Sequence, residues 1–152
     1  MSSFVPSTNP AASDANVSND GFFPDLELDV VRKRTGLSDV FSNDRIVAAT
    51  RDAIMEINAV LADWVADQEA GTLADVPAKS YGDISEKTHW YMTAVCNRVR
   101  SMLVDTTRDY DSTKSGHDRA DALEATSDRW LQSSNEAVSR LMGRKRTTVE
   151  LI

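Results

Sequence analysis

The side chains that most often do chemistry are few in this sequence and poorly spaced for it. Its two histidines, His89 and His117, fall on different segments, and no His-Glu-x-x-His pattern or second ligand at metal spacing accompanies either. Each is read as a surface or partly packed residue. The acidic stretch around Asp109, Asp111 and Thr113 supplies oxygens at the first, third and fifth positions of a calcium loop. Such a loop also needs glycine at its sixth position and a bidentate glutamate at its twelfth. Lys114 and Ala120 stand there instead, so no calcium site is expected. Cys96 is the single cysteine, which excludes an intramolecular disulfide and a Cys-pair zinc site. Between Val95 and Asn97 in a helical stretch it has no helix N-terminus to activate it, and it reads as a buried thiol. A phosphate-cradling glycine-rich loop and a Gly-x-Ser-x-Gly elbow are both missing. The 24 carboxylates single out no acid–base pair. The expectation is no catalytic residue, no metal and no cofactor.

Positions suited to docking are easier to find. At the C-terminus three adjacent cations, Arg144, Lys145 and Arg146, precede Thr147, Thr148, Val149, Glu150, Leu151 and Ile152, a β-prone, apolar-ended hexapeptide. A helical domain has no sheet of its own to receive it. It reads either as a frayed end or as an extended arm that adds to a strand on another protein, with Val149 and Leu151 filling pockets on one face. Phe22 and Phe23, beside Pro24, are a staple onto the domain or an anchor for a neighbouring subunit. Of the three tryptophans, Trp64 and Trp130 lie on apolar stripes and are assigned to the core, whereas Trp90 sits beside its stripe and suits core or interface equally. The acidic positions Asp105, Asp109, Asp111, Asp118, Asp121 and Asp128 form either a solvated face or the lining of a channel.

The bulk properties set the frame for these features. With 152 residues, 27% charged and 41% hydrophobic, the chain fits one soluble domain with a modest core. A formal net charge of -7 argues against non-specific binding to a phosphate backbone, which relies on clustered Lys and Arg. No apolar run approaches the roughly 20 residues that span a bilayer. Met1 to Pro10 lacks the basic and apolar regions of a signal peptide, so a cytosolic setting is expected.

Residues 1–20 are rich in Ser, Ala, Asn, Asp and Pro without apolar period, and read as a flexible N-terminal arm. Four helical segments follow within a domain of residues 21–143. The first, about Leu26 to Thr35, is short, carries Leu28 and Val31, and stops at Gly36. The second starts after a Ser42 cap and carries Ile46, Ala49, Ala53, Ile54, Ile57, Val60, Leu61 and Trp64 at spacings of three and four, running to about Gln68. Gly71 to Asp83 is the longest loop, punctuated by Pro77 and Gly82. The third helix runs from Ser85-Glu86 to about Asp109 with Tyr91, Ala94, Val95, Val99, Met102 and Leu103 on one face. After the turn Tyr110 to Gly116, the fourth carries Ala120, Leu123, Trp130, Leu131, Ala137, Val138 and Leu141 and ends near Gly143. The expected architecture is all-α: a helical bundle of three long helices plus a short N-terminal helix, with extended arms at residues 1–20 and 144–152. Neither an internal repeat nor a sustained heptad is present.

Four blocks of this sequence, NDGFFPDLELDVVRKRTGL, RDAIMEINAVLADWVADQEAGTLADV, RDYDSTKSGHDRADAL and GRKRTTVELI, together resemble the head completion proteins of P2-like tailed phages. The resemblance covers residues 19–152 in the same order, and its specificity lies in the combination of the Phe pair before Pro-Asp, the Tyr-Asp-x-Thr turn and the terminal VELI. It implies a head–tail adaptor that binds the portal protein at the capsid vertex after DNA packaging, completes the filled head and offers a platform for tail attachment. Adaptors of this general type are helical bundles set in a ring, usually of twelve copies, with a further connector or tail-terminator protein beneath. No enzymatic activity or cofactor goes with the family. The implied location is the head–tail junction of the virion, reached from the host cytoplasm during assembly. On this reading residues 144–152 engage the portal, with a neighbouring subunit as the alternative. An acidic ring surface suits a channel through which DNA slides, since like charges discourage sticking and no specific nucleic-acid contact is needed. Two other classes are a helical binding module or assembly chaperone not retained in the virion, and a small packaging nuclease. The nuclease would need a metal-binding carboxylate constellation, which the sequence does not display.

Overall fold

A hydroxyl side chain opens the first long helix. Ser42 Oγ accepts the amide of Arg45 at 3.4 Å, and helix α2 (Asn43–Ala66) proceeds from there with Asp44 in its first turn. Replacing Ser42 with Ala should lower stability by about 1 kcal/mol without altering the far-UV helical signal, as read by urea denaturation. The computed structural model describes residues 15–37, 39, 41–108 and 114–144, with the side chains of 107, 108 and 114–125 not described. It is mostly helical. The other helices are α1 (Leu28–Thr35), α3 (Glu86–Arg108) and α4 (Lys114–Leu141). Two antiparallel strand pairs accompany them, β1 (Asn16–Val17) with β2 (Leu26–Glu27), and β3 (Ser80–Tyr81) with β4 (Ile84–Ser85). A 3-10 turn at Leu73–Asp75 lies between α2 and β3.

Helix α3 is central. Its buried residues Tyr91, Ala94, Val95, Val99 and Leu103 keep the three- and four-residue spacing, with Ala94 and Val95 side by side, that makes a continuous apolar face along the helix. α2 runs antiparallel to it, with Arg45 bonded to Thr106 at one end, Asn58 to Tyr91 further along and the Lys87 ammonium 5.6 Å from the Trp64 ring at the other. Ile46, Ala53, Ile57 and Leu61 form the buried side of α2. Val60, counted in the sequence among the apolar stripe, is 59% exposed. It precedes Leu61 and therefore points about 100° away from it around the helix, past the edge of the core.

The seam between α3 and α4 is made of small polar residues. Ser101 and Ser127 approach at 3.2 Å and each hydroxyl also reaches the other's carbonyl; Ser134 Oγ donates to the Ala94 carbonyl at 2.8 Å, and Asn97 to Ser133 at 2.9 Å. Short side chains let the two backbones come close, and each buried hydroxyl has an acceptor. Helix α4 closes on Ala137, Val138 and Leu141. Gly143, at φ 72°, then takes the left-handed position that only glycine occupies freely, so that its own N–H reaches the Arg140 carbonyl and that of Arg144 reaches Ser139 at 2.9 Å. Arg144, expected to begin an arm, thus serves as the last hydrogen-bond donor of the helix cap. Ala120 and Leu123 of the expected stripe, and the turn residues 110–113, lie outside what is described.

The N-terminal segment also differs from expectation. Residues 15–20, read as the end of a flexible arm, are part of the fold: Val17 is buried opposite Leu26, and Leu28 donates its amide to the Ala15 carbonyl at 3.0 Å. One apolar residue in a polar stretch carries no period, so pairing with β2 could be seen only in three dimensions. Residues 1–14 lie outside the description.

Candidate functional site

The residues singled out from the sequence divide between core and surface. Phe23 is 4% exposed and stacks on Tyr91 with ring centres 4.3 Å apart and planes 11° from parallel. It acts as a staple within its own chain, so its expected alternative role as a neighbour's anchor has no exposed face to use. Phe22 is half-buried, edge-on to Phe23 at 5.1 Å and to Trp64 at 6.5 Å. Its carbonyl accepts the Leu73 amide at 2.8 Å, tying the loop after α2 to the N-terminal segment.

All three tryptophans are half-buried beneath a cation of the same chain. Lys87 lies 5.6 Å from Trp64, Arg100 4.2 Å above Trp130, and Arg140 4.8 Å above Trp90. The cations lie over the ring faces, where the quadrupole is negative. Lys87 also donates to the Leu141 carbonyl and Arg100 to that of Thr35, which helps satisfy the last turns of α4 and α1. Trp64 and Trp130 are therefore at the rim of the core and not at its centre. Among the acidic positions, Asp105 and Asp128 are exposed on α3 and α4. Asp109 and Asp111, the side chains of Asp118 and Asp121, and residues 145–152 lie outside what is described.

A polar network that periodicity does not reveal holds the N-terminal segment. Asn19 Nδ2 donates to the Tyr91 hydroxyl at 2.8 Å and to the Pro24 carbonyl; the hydroxyl in turn donates to Asn58 Oδ1 at 2.7 Å, and Asn58 Nδ2 returns to Asn19 Oδ1 at 2.8 Å. Asp20 Oδ1 accepts the amides of Phe22 and Phe23 at 3.0 and 3.1 Å. Burial pushes the Tyr91 hydroxyl well above its ordinary range, so it stays a neutral donor.

Burial likewise pushes the Cys96 thiol up, from an ordinary 9.0 to about 11, with Arg34 partly opposing it. Two outcomes follow. The native protein should resist a maleimide at neutral pH and react only when unfolded. Between pH 9 and 11 the unfolded thiol ionises while the folded one keeps its proton, so stability is complete below that window and falls as pH rises through it. The loss is on the order of 2–3 kcal/mol, and Cys96→Ala should make the alkaline fall in melting temperature shallower, the buried Tyr91 hydroxyl still contributing above pH 10. A level melting temperature across that window in the native sequence would contradict this.

Two surface features stand out at opposite ends of α3. Near its C-terminal turns, an open groove of about 520 Å³ runs between α2 and α3, walled by Ala48, Ala49, Met55, Met102 and Leu103, with Arg45, Asp52 and Glu56 at its margin. At the other end, β3 and β4 form a hairpin whose two-residue turn is Gly82-Asp83; Gly82 has φ 66°. This positive φ followed by a negative one matches the type II′ hairpin turn. The hairpin projects Tyr81, which is 65% exposed. The stretch Gly71 to Asp83 is expected from sequence to be one loop; Gly82-Asp83 is in fact the turn of a hairpin, for which a Gly-Asp pair is a recognised signal. Among the described residues no group of three or more His, Cys, Asp and Glu could hold a metal ion, and no helix is long and apolar enough to cross a membrane.

The phage head completion protein (GPL) family model matches residues 17–152. The chain belongs to that family. Among individual relatives, the head completion/stabilization protein of Escherichia phage P2 is 31% identical over 146 residues, covering 94% of this chain and 86% of the relative. No solved structure matches. Membership puts the chain in phage head assembly. Neither the groove nor the Tyr81 hairpin was singled out from the sequence.

Proposed function

We propose that this protein is a head–tail adaptor: it binds the portal vertex after DNA packaging, forms a ring around the DNA channel and provides the platform for tail attachment. The observation that carries this reading is the family match across residues 17–152, which leaves little of the chain for any other role. The helical architecture supports it, because the long helices Asn43–Ala66, Glu86–Arg108 and Lys114–Leu141, with the short Leu28–Thr35 helix, present several different faces, as a head-to-tail ring contact requires. The partners on this reading are the portal protein, further copies of the chain in a ring of twelve, and the next connector or tail-terminator protein. Arg144 to Ile152 make the contact with the portal, Phe22 and Trp90 border the neighbouring subunit, and the exposed Asp105 and Asp128 face the channel with Asp109, Asp111, Asp118 and Asp121. The protein then resides at the head–tail junction after assembly in the host cytoplasm.

The test is to mix purified protein with purified portal protein and image the product by cryo-electron microscopy. A symmetric helical ring capping the portal is the expected result. A gel of purified particles gives the second readout: a band for this protein is expected. Absence from particles together with no portal complex would overturn the adaptor reading in favour of a transient assembly chaperone.

A further inference from the structure

A ring needs a heterologous interface, in which one patch of a subunit meets a different, complementary patch of the next. The exposed Tyr81 hairpin and the α2–α3 groove make such a pair. We propose that the hairpin of one copy lies in the groove of its neighbour, with Tyr81 seated over Ala48, Ala49 and Met102 and facing Met55 at the far end of the groove. The inference deepens the adaptor reading and rests on it for the ring.

Three observations support this occupant. The first is apolar exposure: Met55 and Tyr81 are 59% and 65% exposed, two of the three large hydrophobic residues most open to solvent among those described. Aromatic residues and methionine are enriched at protein interfaces, and a flexible thioether adapts its shape to a ring. The second is reach. The hairpin leads directly into the N-terminus of α3 at Glu86, whereas the groove lies against Met102, Leu103 and Thr106. Sixteen residues of helix separate Glu86 from Met102, about 24 Å at the α-helical rise. The hairpin therefore cannot fold back into its own groove and must use a neighbour's, which makes the contact head-to-tail and able to propagate.

The third is charge. Along α2 the groove has a cation, Arg45, at one end and an anion, Asp52, seven residues on, about 10 Å away. The hairpin carries the opposite order: Lys79 at its base and Asp83 in the turn at its tip, both exposed, with the three steps from Lys79 to the Gly82-Asp83 turn spanning about 10 Å of strand. Laid with its tip toward Arg45, the hairpin pairs Asp83 with Arg45 and Lys79 with Asp52 while Tyr81 falls over the apolar wall. Charges placed in this way set direction and register more than affinity.

The experiment is bismaleimide cross-linking of a chain carrying both Tyr81→Cys and Met55→Cys, in phage particles and as concentrated purified protein. Both positions are exposed, and the buried Cys96 is 2% exposed and does not compete. The expected product is a ladder of trimers and larger species, with each single variant giving no ladder and a mixture of the two giving dimers only. Lys79→Glu should reduce the ladder several-fold, and adding Asp52→Lys to the same chain should restore it. The proposal is overturned by any of four results: no ladder from particles that contain the protein, self-linking of the Tyr81→Cys chain, linkage of Met55→Cys to a different head protein, or indifference to both charge changes. Should the protein be absent from particles, the adaptor reading fails separately. The purified sample then decides alone, a ladder supporting the pairing and its absence overturning it.

Discussion

Deleting residues 147–152 is expected to leave the helical signal and melting temperature unchanged and to remove binding to isolated portal protein. Among the described residues, the α4 cap is completed by Gly143 and Arg144. What residues 147–152 contribute on the adaptor reading is an extended strand with Val149 and Leu151 on one face, led by a cationic stretch that steers toward an acidic surface. Backbone hydrogen bonds in an added strand are lost together when it is removed, so the effect should be a loss of detectable complex and not a modest weakening. Repetition around a ring amplifies it, since many weak arms engaging many sites act by avidity. Replacing Arg144, Lys145 and Arg146 with Ala should slow association and sharpen its salt dependence less than the native sequence does, because charge at an interface rim acts chiefly on the on-rate. Undiminished binding by the shortened chain would remove the tail from the interface and leave the helical surface as the portal contact.

The largest expected effect on stability is at Tyr91. Its ring is fully buried and stacked on Phe23, and its hydroxyl links Asn19 to Asn58. Tyr91→Ala removes the ring and leaves a cavity, which should cost about 3–5 kcal/mol, enough to unfold a marginal domain. Tyr91→Phe is the more informative variant. It keeps the stack and removes only the hydroxyl, leaving two part-buried amide groups each short of a partner, for an expected loss of about 1–3 kcal/mol. Since Asn19 belongs to the N-terminal segment and Asn58 to α2, the Phe variant should also raise amide exchange across residues 15–27 more than in α3 or α4. If Tyr91→Phe melted like the native protein with unchanged exchange at those residues, the network would be a consequence of packing and not one of its causes.

Much of the helical content was legible before any coordinates. Ile46, Ala53, Ile57 and Leu61 on α2, and Tyr91, Ala94, Val95 and Val99 on α3, declare their buried faces through a spacing that only a helix brings to one side. Ser42, Gly36 and Gly143 mark ends because capping depends on the chemistry of one residue and its immediate neighbours. The resemblance carried by the Phe pair and the terminal VELI was equally local. Tertiary structure alone decided the rest. It turned residues 15–20 from an expected arm into a strand partner, since Val17 is buried by what lies opposite it and not by any period of its own. It sent Phe23 to the core and left Val60 outside it, and it placed a cation from elsewhere in the same chain over each tryptophan. The groove is walled by side chains of α2 and α3 that lie far apart in sequence, and the exposure of Tyr81 at the hairpin is equally a product of how the chain packs. Helical periodicity is a property of neighbours along the chain. Which surfaces remain open for another protein depends on which segments meet, and that was settled only by packing.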